Sequence, residues 1–156
     1  MKKFITLIVC ILIPLGLGAW AGIVTSSNIA SWYNTLHKPS FNPPNWLFAP
    51  VWTSLYILMG ISFYLIWTDK KAKDKKTAIS VSIIQLLLNT LWSFLFFHFH
   101  NIFFALADIL ILWGFILSMI ISYFSINKTA AILQIPYLAW VTFATLLNAT
   151  YLYLNF

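Results

Sequence analysis

The 156-residue sequence predicts an all-α integral membrane protein, built as a single bundle of five transmembrane helices. Hydrophobic residues make up 62% of the chain and charged residues only 8%, whereas soluble domains carry about 25% charged residues. Five apolar segments each approach the roughly 20 residues that cross a bilayer as a helix. Because only one connection is long, residues 1–156 are expected to form one domain. The predicted helices cover residues 4–24, 45–67, 77–97, 102–124 and 129–153.

The first helix has features of both a signal peptide and a retained span. Lys2-Lys3 form a basic start, and Ala19-Trp20-Ala21 resembles a cleavage site. The apolar run continues to Val24, which gives full membrane length, so the segment is interpreted as retained. Gly18 and Gly22 form a GxxxG pair, which lets helix backbones approach closely in lipid. This pair indicates a dimer face, close packing inside the bundle, or wall space for a ligand.

The loop before the second helix, at about residues 28–44, is rich in proline and aromatic residues and contains no glycine. Proline fixes φ and lacks an amide donor, so Lys38–Asn45 is expected to be extended or turn backbone. A loop this stiff suits a lid over a ligand. The alternative is an interfacial aromatic belt, with the prolines marking a helix start. Pro50 is expected to bend the second helix or to delay its start.

The third and fourth helices carry polar side chains at membrane depth. Ser82, Gln85, Asn89 and Ser93 recur at spacings of three and four, so they share one inward face. They either join helices together or line a pocket. Asp108 is the only acid predicted within the membrane, which makes it a functional-site hypothesis. The alternative is a neutral carboxyl group hydrogen-bonded to a neighbouring helix.

The fifth helix has one distinctive face and an aromatic end. Tyr151 and Tyr153 are expected to form its outer aromatic belt. The face itself repeats Tyr137, Trp140, Ala144, Leu147 and Asn148.

Tryptophan is the distinctive residue of this chain, with eight copies. A membrane-interface belt accounts for Trp20, Trp46 and Trp67, whereas Trp52, Trp92 and Trp140 lie one to three turns inside their helices. Trp52, Asn89, Asp108 and Trp140 are predicted to lie at similar depth beneath the loop. These positions predict an aromatic pocket with few polar groups, covered by the loop at residues 31–45.

The nine lysines indicate the orientation of the chain in the cell membrane. Only Lys38 falls on one side of a five-span arrangement. The positive-inside rule therefore predicts a cytoplasmic N-terminus and an outside C-terminus. The basic run 69–76 is interpreted as a solvated loop near lipid, and no nucleic-acid partner is expected. The lysines on the cytoplasmic side are Lys2, Lys3, Lys70, Lys71, Lys73, Lys75, Lys76 and Lys128.

The sequence contains no constellation typical of hydrolytic or phosphate chemistry. Ser-His-Asp sets, paired carboxylates and glycine-rich phosphate loops are all absent from it. Cys10 is the single cysteine, so the chain cannot form an internal disulfide. His98 and His100 flank Phe99 in a turn, where solvated histidines are commoner than ligands to a metal or to haem iron. No metal site is therefore predicted.

Several long motifs of a known protein family occur one after another along nearly the whole chain. They include Trp32-Tyr33, Pro43-Pro44, Pro50-Val51-Trp52, Ala105-Leu106-Ala107-Asp108 and Pro136-Tyr137-Leu138-Ala139-Trp140. On these motifs the chain resembles the translocator protein family. Its members are also called tryptophan-rich sensory proteins and peripheral-type benzodiazepine receptors.

The resemblance implies a membrane receptor that commonly forms a homodimer. It implies binding of porphyrins such as protoporphyrin IX and of synthetic isoquinoline and benzodiazepine ligands. Bacterial members are associated with light-dependent oxidative breakdown of the porphyrin, which needs light and oxygen but no resident cofactor. The alternative is a transporter or stress-sensing regulator for tetrapyrroles or sterols. The animal sterol motif needs Lys or Arg after its tyrosine, but Tyr153 is followed by Leu154-Asn155-Phe156, which disfavours sterol binding.

The loop, the helix faces and the resemblance together give a set of candidate site residues. Trp52 and Trp140 are the candidate redox tryptophans, and whether the protein is an enzyme stays open. Asn89 and Asp108 are expected to orient the ligand, and Lys38 to meet a propionate at the pocket mouth. The candidate ligand-binding residues are Gly22, Tyr33, Lys38, Trp52, Asn89, Trp92, Phe104, Ala107, Asp108, Trp140, Ala144, Leu147 and Asn148.

Overall fold

The computed structural model describes residues 2–29, 31–70 and 75–156. Within them, five helical segments are long and apolar enough to span a membrane, which confirms the predicted all-α membrane bundle. Lys71 and Lys73 of the predicted cytoplasmic lysines lie outside the described residues. The helices are α1 (Lys2–Ile29), α2 (Asn45–Thr68), α3 (Lys76–Ser93), α4 (Ile102–Phe124), α5 (Lys128–Ile132) and α6 (Ile135–Asn155).

The first helix is longer than the sequence pattern indicates, because its polar end continues the helix. The hydroxyl groups of Thr25, Ser26 and Ser27 donate to carbonyls three or four residues earlier, at 2.9–3.0 Å. The Asn28 amide donates to the carbonyl of Val24 at 2.9 Å. These bonds keep polar side chains satisfied on helical backbone, so α1 reaches the start of the loop.

The fifth span is two helices rather than the one that was expected. Pro136 lies in the first turn of α6, where its missing amide hydrogen costs no helical bond. The chain turns between α5 and α6, and the span as a whole covers Lys128–Asn155. The Ser62 hydroxyl of α2 donates to the Ala130 carbonyl of α5 at 2.6 Å, which ties this region to the bundle.

Pro50 lies inside α2 and does not delay the start of that helix. The helix already begins at Asn45, after an extended Pro44, so of the two expected effects of Pro50 the delay does not occur. The carbonyl of Trp46, four residues before Pro50, receives no amide hydrogen from the proline. Trp46 is 71% exposed, so this carbonyl lies at the surface end of the helix.

The helices form a closed ring around the bundle interior. α1 packs against α2 and α3, α3 against α4, α4 against α5 and α6, and α5 against α2. Two glycines set the approach of α1 and α2. A Cβ added to Gly60 would lie 2.5 Å from the Cα of Ile11, and one added to Gly18 would lie 2.1 Å from the Tyr56 ring. Gly18 therefore serves close packing inside the bundle.

Buried hydrogen bonds join α3 to three other helices. Tyr56 of α2 donates to Asn89 at 2.7 Å, and Asn89 donates to the Tyr137 hydroxyl of α6 at 3.2 Å. Tyr137 in turn donates to Gln85 at 2.9 Å. The hydroxyl of Ser82 on α3 lies 2.6 Å from the hydroxyl of Tyr123 on α4. We call these residues the polar layer: Tyr56, Ser82, Gln85, Asn89, Tyr123 and Tyr137. Of the two interpretations of the α3 face, the layer supports joining of helices for Ser82, Gln85 and Asn89.

Candidate functional site

A cavity of about 400 Å³ lies between the polar layer and the loop. Its walls come from α1, α2, α6, the loop-side end of α3 and the short helical segment Phe94–His98 that continues α3. Tyr33 of the loop also lines the cavity. Because three tryptophans line it, we call it the tryptophan cavity. Its volume lies in the usual range of small-molecule pockets. Its lining includes Leu15, Gly22, Ile29, Tyr33, Phe48, Trp52, Tyr56, Trp92, Phe96, Trp140, Ala144, Leu147, Asn148 and Tyr151.

Aromatic neighbours hold each of the three cavity tryptophans. Trp52 stacks on Tyr56 with ring centroids 5.5 Å apart, and the polar layer fixes the Tyr56 hydroxyl. Trp92 stacks on Phe96 at 5.3 Å, and its indole nitrogen donates to Asn148 at 3.0 Å. Trp140 lies edge-on to the Phe48 ring, at 6.1 Å. These contacts leave indole surfaces facing the cavity in set positions, which favours flat aromatic ligands.

The loop is fastened to the end of α6 by three side chains that we call the loop latch. The Tyr33 hydroxyl donates to Asn42 at 2.9 Å. Tyr151 of α6 contacts both of them, at 2.8 Å to the Tyr33 hydroxyl and 2.9 Å to Asn42. Burial raises the pKa of Tyr33 above its ordinary value, so its hydroxyl keeps the proton that it donates.

A second fastening lies beside the latch, on the same helix end. The Asn155 side chain accepts from the His37 amide at 2.8 Å and donates to the His37 carbonyl at 3.0 Å. Loop backbone and α6 side chain thus pair through two bonds. The loop therefore covers the tryptophan cavity as a fixed cap in this structure.

Lys38 sits on the outer side of the cap, one ring away from the cavity. Its ammonium group lies 4.8 Å from the centroid of the Tyr33 ring, within the usual range of a cation–π contact. It also donates to the Asn34 side chain at 2.9 Å. Since Tyr33 lines the cavity and Lys38 is exposed, the cation lies on the outer face of the cap, with the Tyr33 ring between it and the cavity.

The described cavity wall is mainly apolar, with a few hydroxyl and amide groups and no lysine, aspartate or histidine. The side-chain amide of Asn148 already has hydrogen-bond partners, since it accepts from Trp92 and donates to the Ile102 carbonyl at 3.1 Å. A charged group inside this wall would lose its hydration without gaining a partner. The wall therefore suits an uncharged aromatic body, with any ionised group left outside.

The structure brings most of the candidate residues together. Lys38 lies on the outer face of the cap, and Asn89 lies beneath the cavity floor in the polar layer, where it fixes Tyr56. The candidates that line the cavity are Gly22, Tyr33, Trp52, Trp92, Trp140, Ala144, Leu147 and Asn148.

The three candidates on α4 lie outside the cavity lining. α4 packs against α3, α5 and α6, on the side of the ring that does not face the cavity. Phe104 is 58% exposed and Ala107 is exposed as well. Asp108 is buried, and its Oδ2 has no hydrogen-bond partner among the described residues. Asp108 was predicted to share the site because it lies at a similar depth in the membrane. Depth alone does not determine which side of the helix faces the cavity, and none of the three α4 candidates lines it.

Sequence reasoning missed most of the contribution of α1 and one tyrosine. Ala19, Thr25 and Ser26 line the cavity together with Gly22, a spacing of three and four that continues one helix face. Tyr151 was expected in the outer aromatic belt, and this is wrong because it is 1% exposed and lines the cavity. Its spacing from the candidate residues of α6 was the available signal, since it follows Leu147 by four.

The turn histidines have partners of another kind. His100 stacks on Trp32 with ring centroids 4.3 Å apart, and its Nε2 lies 3.1 Å from the Asn28 side chain. His98 lies edge-on to Phe99 at 5.0 Å. Within the described part of the chain, no group of three or more His, Cys, Asp or Glu side chains could hold a metal ion.

Comparisons with known proteins agree over nearly the whole length. Residues 10–154 match the model of the TspO/MBR family. The chain is 42% identical to the tryptophan-rich protein TspO of Chlorobaculum tepidum, over 99% of this chain and 98% of the relative. It is 37% identical to the human translocator protein, over 75% of this chain and 70% of the relative. The tryptophan-rich sensory protein of Cereibacter sphaeroides is 36% identical, with 80% of this chain and 77% of the relative covered.

Proposed function

This chain belongs to the TspO/MBR family, and from that premise we propose that it is a membrane receptor for porphyrins of the protoporphyrin IX type. The same site is proposed to accept synthetic isoquinoline and benzodiazepine-like ligands. The observation that carries the proposal is the tryptophan cavity, which lies under the 31–45 loop. Its lining includes Trp52, Trp92 and Trp140. Flat aromatic molecules gain most from such indole surfaces.

A porphyrin places two demands on the site, namely room for a macrocycle and a partner for its propionates. Ala19, Gly22, Ala49 and Thr53 line the cavity and are also exposed, so one side of the cavity opens between α1 and α2. A macrocycle larger than the enclosed volume can extend through that side. We propose that Lys38, on the outer face of the cap, supplies a cation for a carboxylate that stays outside the apolar wall.

Quenching of tryptophan fluorescence by protoporphyrin IX tests the proposal. We expect saturable quenching, and we expect weaker quenching and weaker binding in the double variant Trp52→Phe/Trp140→Phe. The matched control is Trp46→Phe/Trp67→Phe, since both of these tryptophans are exposed and outside the lining. Equal titration curves for the two double variants would remove Trp52 and Trp140 from the site.

We also propose that the bound porphyrin undergoes light-driven oxidation. Trp52 and Trp140 both line the cavity, so an indole there could donate an electron to the photoexcited macrocycle, which passes it to oxygen to give superoxide. The indole radical then takes an electron back from the macrocycle, and the resulting macrocycle radical combines with superoxide. The net change is addition of O₂ to the porphyrin, with the indole restored. Light and oxygen are the external reactants, and the cap limits access of water and competing quenchers. The Asn89–Tyr56 bond fixes the ring on which Trp52 stacks, so Asn89 acts by positioning.

Illumination of the complex, followed by product analysis, separates this chemistry from simple bleaching. A product that is absent in Trp52→Phe and in Trp140→Phe, while porphyrin still binds, would support the redox role. Products identical to those from porphyrin in detergent alone would leave a binding protein.

We propose an orientation with the N-terminus in the cytoplasm and the loop outside. The lysine distribution supports it, because Lys38 is the only lysine on the loop side of the bundle among the residues that the structure describes. Ser40→Cys and Lys70→Cys, each in a Cys10→Ser background, place thiols at exposed positions on opposite sides. An impermeant maleimide added to intact cells should label position 40 only. Labelling of position 70 alone would invert the orientation.

We propose that the protein is a homodimer in the membrane, as the family resemblance implies. Large exposed apolar side chains on α1, such as Phe4 and Ile23, leave surface that a second copy could cover. Gly18 of the GxxxG pair is already engaged with Tyr56 inside the bundle, so the interface must use other residues. Crosslinking in membranes at low protein density should give a single dimer band, and its absence would contradict the proposal.

A further inference from the structure

A second cavity, of about 210 Å³, lies on the other side of the polar layer from the loop. Among the described residues, its lining shares no member with that of the tryptophan cavity. Protein interiors are close-packed, and one water needs only about 10–15 Å³ of such space, so this void is large for a bundle of this size. Its apolar wall includes Pro14 of α1, Met59 and Phe63 of α2, Leu86 of α3 and Met119 of α4.

The polar groups of this cavity are satisfied, with one exception. Ser82 donates to the Ala78 carbonyl at 2.6 Å and contacts Tyr123. Gln85 is bonded to Tyr137 and to the Ser82 carbonyl. Gln134 is 1% exposed, and its Oε1 has no hydrogen-bond partner among the described residues.

The carboxamide of Gln134 is also weakly held. Its Nε2 lies 3.4 Å from the Leu58 carbonyl, beyond the usual 2.7–3.2 Å of such bonds. A buried acceptor without a donor is costly, and a small turn of a weakly held amide can present it to the cavity that it lines. The site therefore offers one open acceptor in an apolar wall.

The apolar wall and the single open acceptor determine what can fill the cavity. A buried water needs two to four polar partners, and the cavity offers one that is open. A charged molecule would find no counter-charge, since the described lining contains no lysine, aspartate or histidine. An apolar molecule with a single hydrogen-bond donor matches both the wall and the acceptor. Apolar cavities of about 150 Å³ hold benzene, so a phenol-sized molecule fits.

The route to the cavity is from the lipid. Ile13 of α1 and Ile83 of α3 line it, yet they are 54% and 52% exposed. On a membrane helix, exposed apolar side chains face the hydrocarbon. The cavity thus borders the bilayer between α1 and α3, and its ligand must partition into lipid.

We propose that this second cavity is a binding site for a small uncharged aromatic alcohol, of the phenol class, which enters from the membrane and donates to Gln134. The site is independent of the receptor function proposed for the tryptophan cavity. Cys10 lines it and is the single cysteine of the chain, so its modification reports directly on occupancy.

The test follows the rate at which methyl methanethiosulfonate modifies Cys10 in the purified full-length protein in lipid nanodiscs. Phenol and toluene are compared at equal concentration in the membrane phase, because they have similar size and only phenol has a donor. We expect phenol to slow Cys10 modification at least tenfold, at concentrations where toluene has little effect. In Gln134→Leu the two compounds should protect equally.

A matched control separates occupancy from a general effect on the membrane. In Val9→Cys/Cys10→Ser the thiol moves to the adjacent residue, which is 48% exposed and does not line the cavity. Phenol should not slow its modification. Equal slowing of the two thiols, or a Cys10 that does not react while position 9 does, would overturn the proposal.

Two further results bear on the ligand class and on folding. Equal protection by phenol and toluene in the unsubstituted protein would overturn the role of the acceptor. Should Gln134→Leu fail to fold, Ile13→Trp serves instead, since Ile13 is lipid-exposed at the cavity border and tolerates a larger side chain. We expect it to remove phenol protection, and full protection in that variant would contradict the route.

Discussion

The polar layer and the tryptophan cavity occupy neighbouring parts of the same ring of helices but use their side chains in opposite ways. In the layer, Asn89 is engaged by Tyr56 at 2.7 Å and by Tyr137 at 3.2 Å, so its hydrogen-bonding groups face partners on other helices. In the cavity, the indoles of Trp52 and Trp140 face about 400 Å³ of open space. Amides in hydrocarbon must find partners, whereas apolar aromatic surface can be left unfilled until a ligand arrives.

This comparison separates two kinds of consequence. A change in the polar layer should first lower the free energy of unfolding, and should alter binding only through Tyr56 and Trp52. A change in the cavity wall should first weaken ligand binding and leave stability nearly intact, except where the added atoms overlap a residue of the polar layer, as at Gly18 beside Tyr56.

The largest effect is expected from Gly18→Ala, because the added Cβ would lie 2.1 Å from the Tyr56 ring. Overpacking of this kind costs up to about 3 kcal/mol in the free energy of unfolding. Gly22→Ala is the matched control, since a Cβ there meets no described atom within 4 Å. Denaturant titration in mild detergent measures both. Equal loss in the two variants would indicate that the GxxxG pair acts together, as on a dimer face.

Asn89→Leu is expected to lower the free energy of unfolding by about 2 kcal/mol, since it leaves the Tyr56 hydroxyl buried without its acceptor. Ser93→Ala, one turn further along α3, should change it by less than about 0.5 kcal/mol because Ser93 lines the cavity. The same denaturant titration applies. A stable Asn89→Leu with abolished porphyrin binding would place Asn89 in the ligand site instead of the layer.

The smallest effect concerns the loop latch. Tyr151→Phe removes the hydroxyl that contacts Tyr33 and Asn42, at a cost of about 1 kcal/mol. We expect faster dissociation of protoporphyrin by roughly fivefold, with association little changed, because the cap opens more easily. Stopped-flow fluorescence measures both rates. Tyr153→Phe is the control, since Tyr153 is 84% exposed, and equal rates in the two variants would contradict the latch.

The sequence predicted the helices and the tryptophans of the site well, for a physical reason. Membrane length and apolar composition identify spans directly, and α4 begins and ends at the expected residues, Ile102 and Phe124. A tryptophan that lies one or more helical turns inside the membrane cannot belong to the aromatic belt at the interface. This criterion identified Trp52, Trp92 and Trp140 as candidates. All three line the cavity.

The polar residues were harder to assign, because depth and hydrophilicity do not reveal direction. Asn89 and Asp108 were placed at cavity depth, but Asn89 bonds to tyrosines beneath it and Asp108 lies on a helix that does not reach the lining. From the sequence alone, Tyr151 is indistinguishable from a tyrosine at the membrane interface. Its contacts with Tyr33 and Asn42 in the loop become apparent only in the structure. Contacts between residues more than 100 positions apart leave no local signal.

One pair of variants tests the central claim most directly, that the tryptophan cavity is the ligand site. Ala144 and Ala107 are both candidate residues from the sequence, but Ala144 lines the cavity and Ala107 is exposed on α4. The same substitution, alanine to phenylalanine, fills the cavity in one variant and adds lipid-facing surface in the other. Titration with protoporphyrin IX should show at least a tenfold loss of affinity, about 1.4 kcal/mol, for Ala144→Phe and unchanged affinity for Ala107→Phe. Unchanged affinity in Ala144→Phe, or a loss confined to Ala107→Phe, would contradict the account.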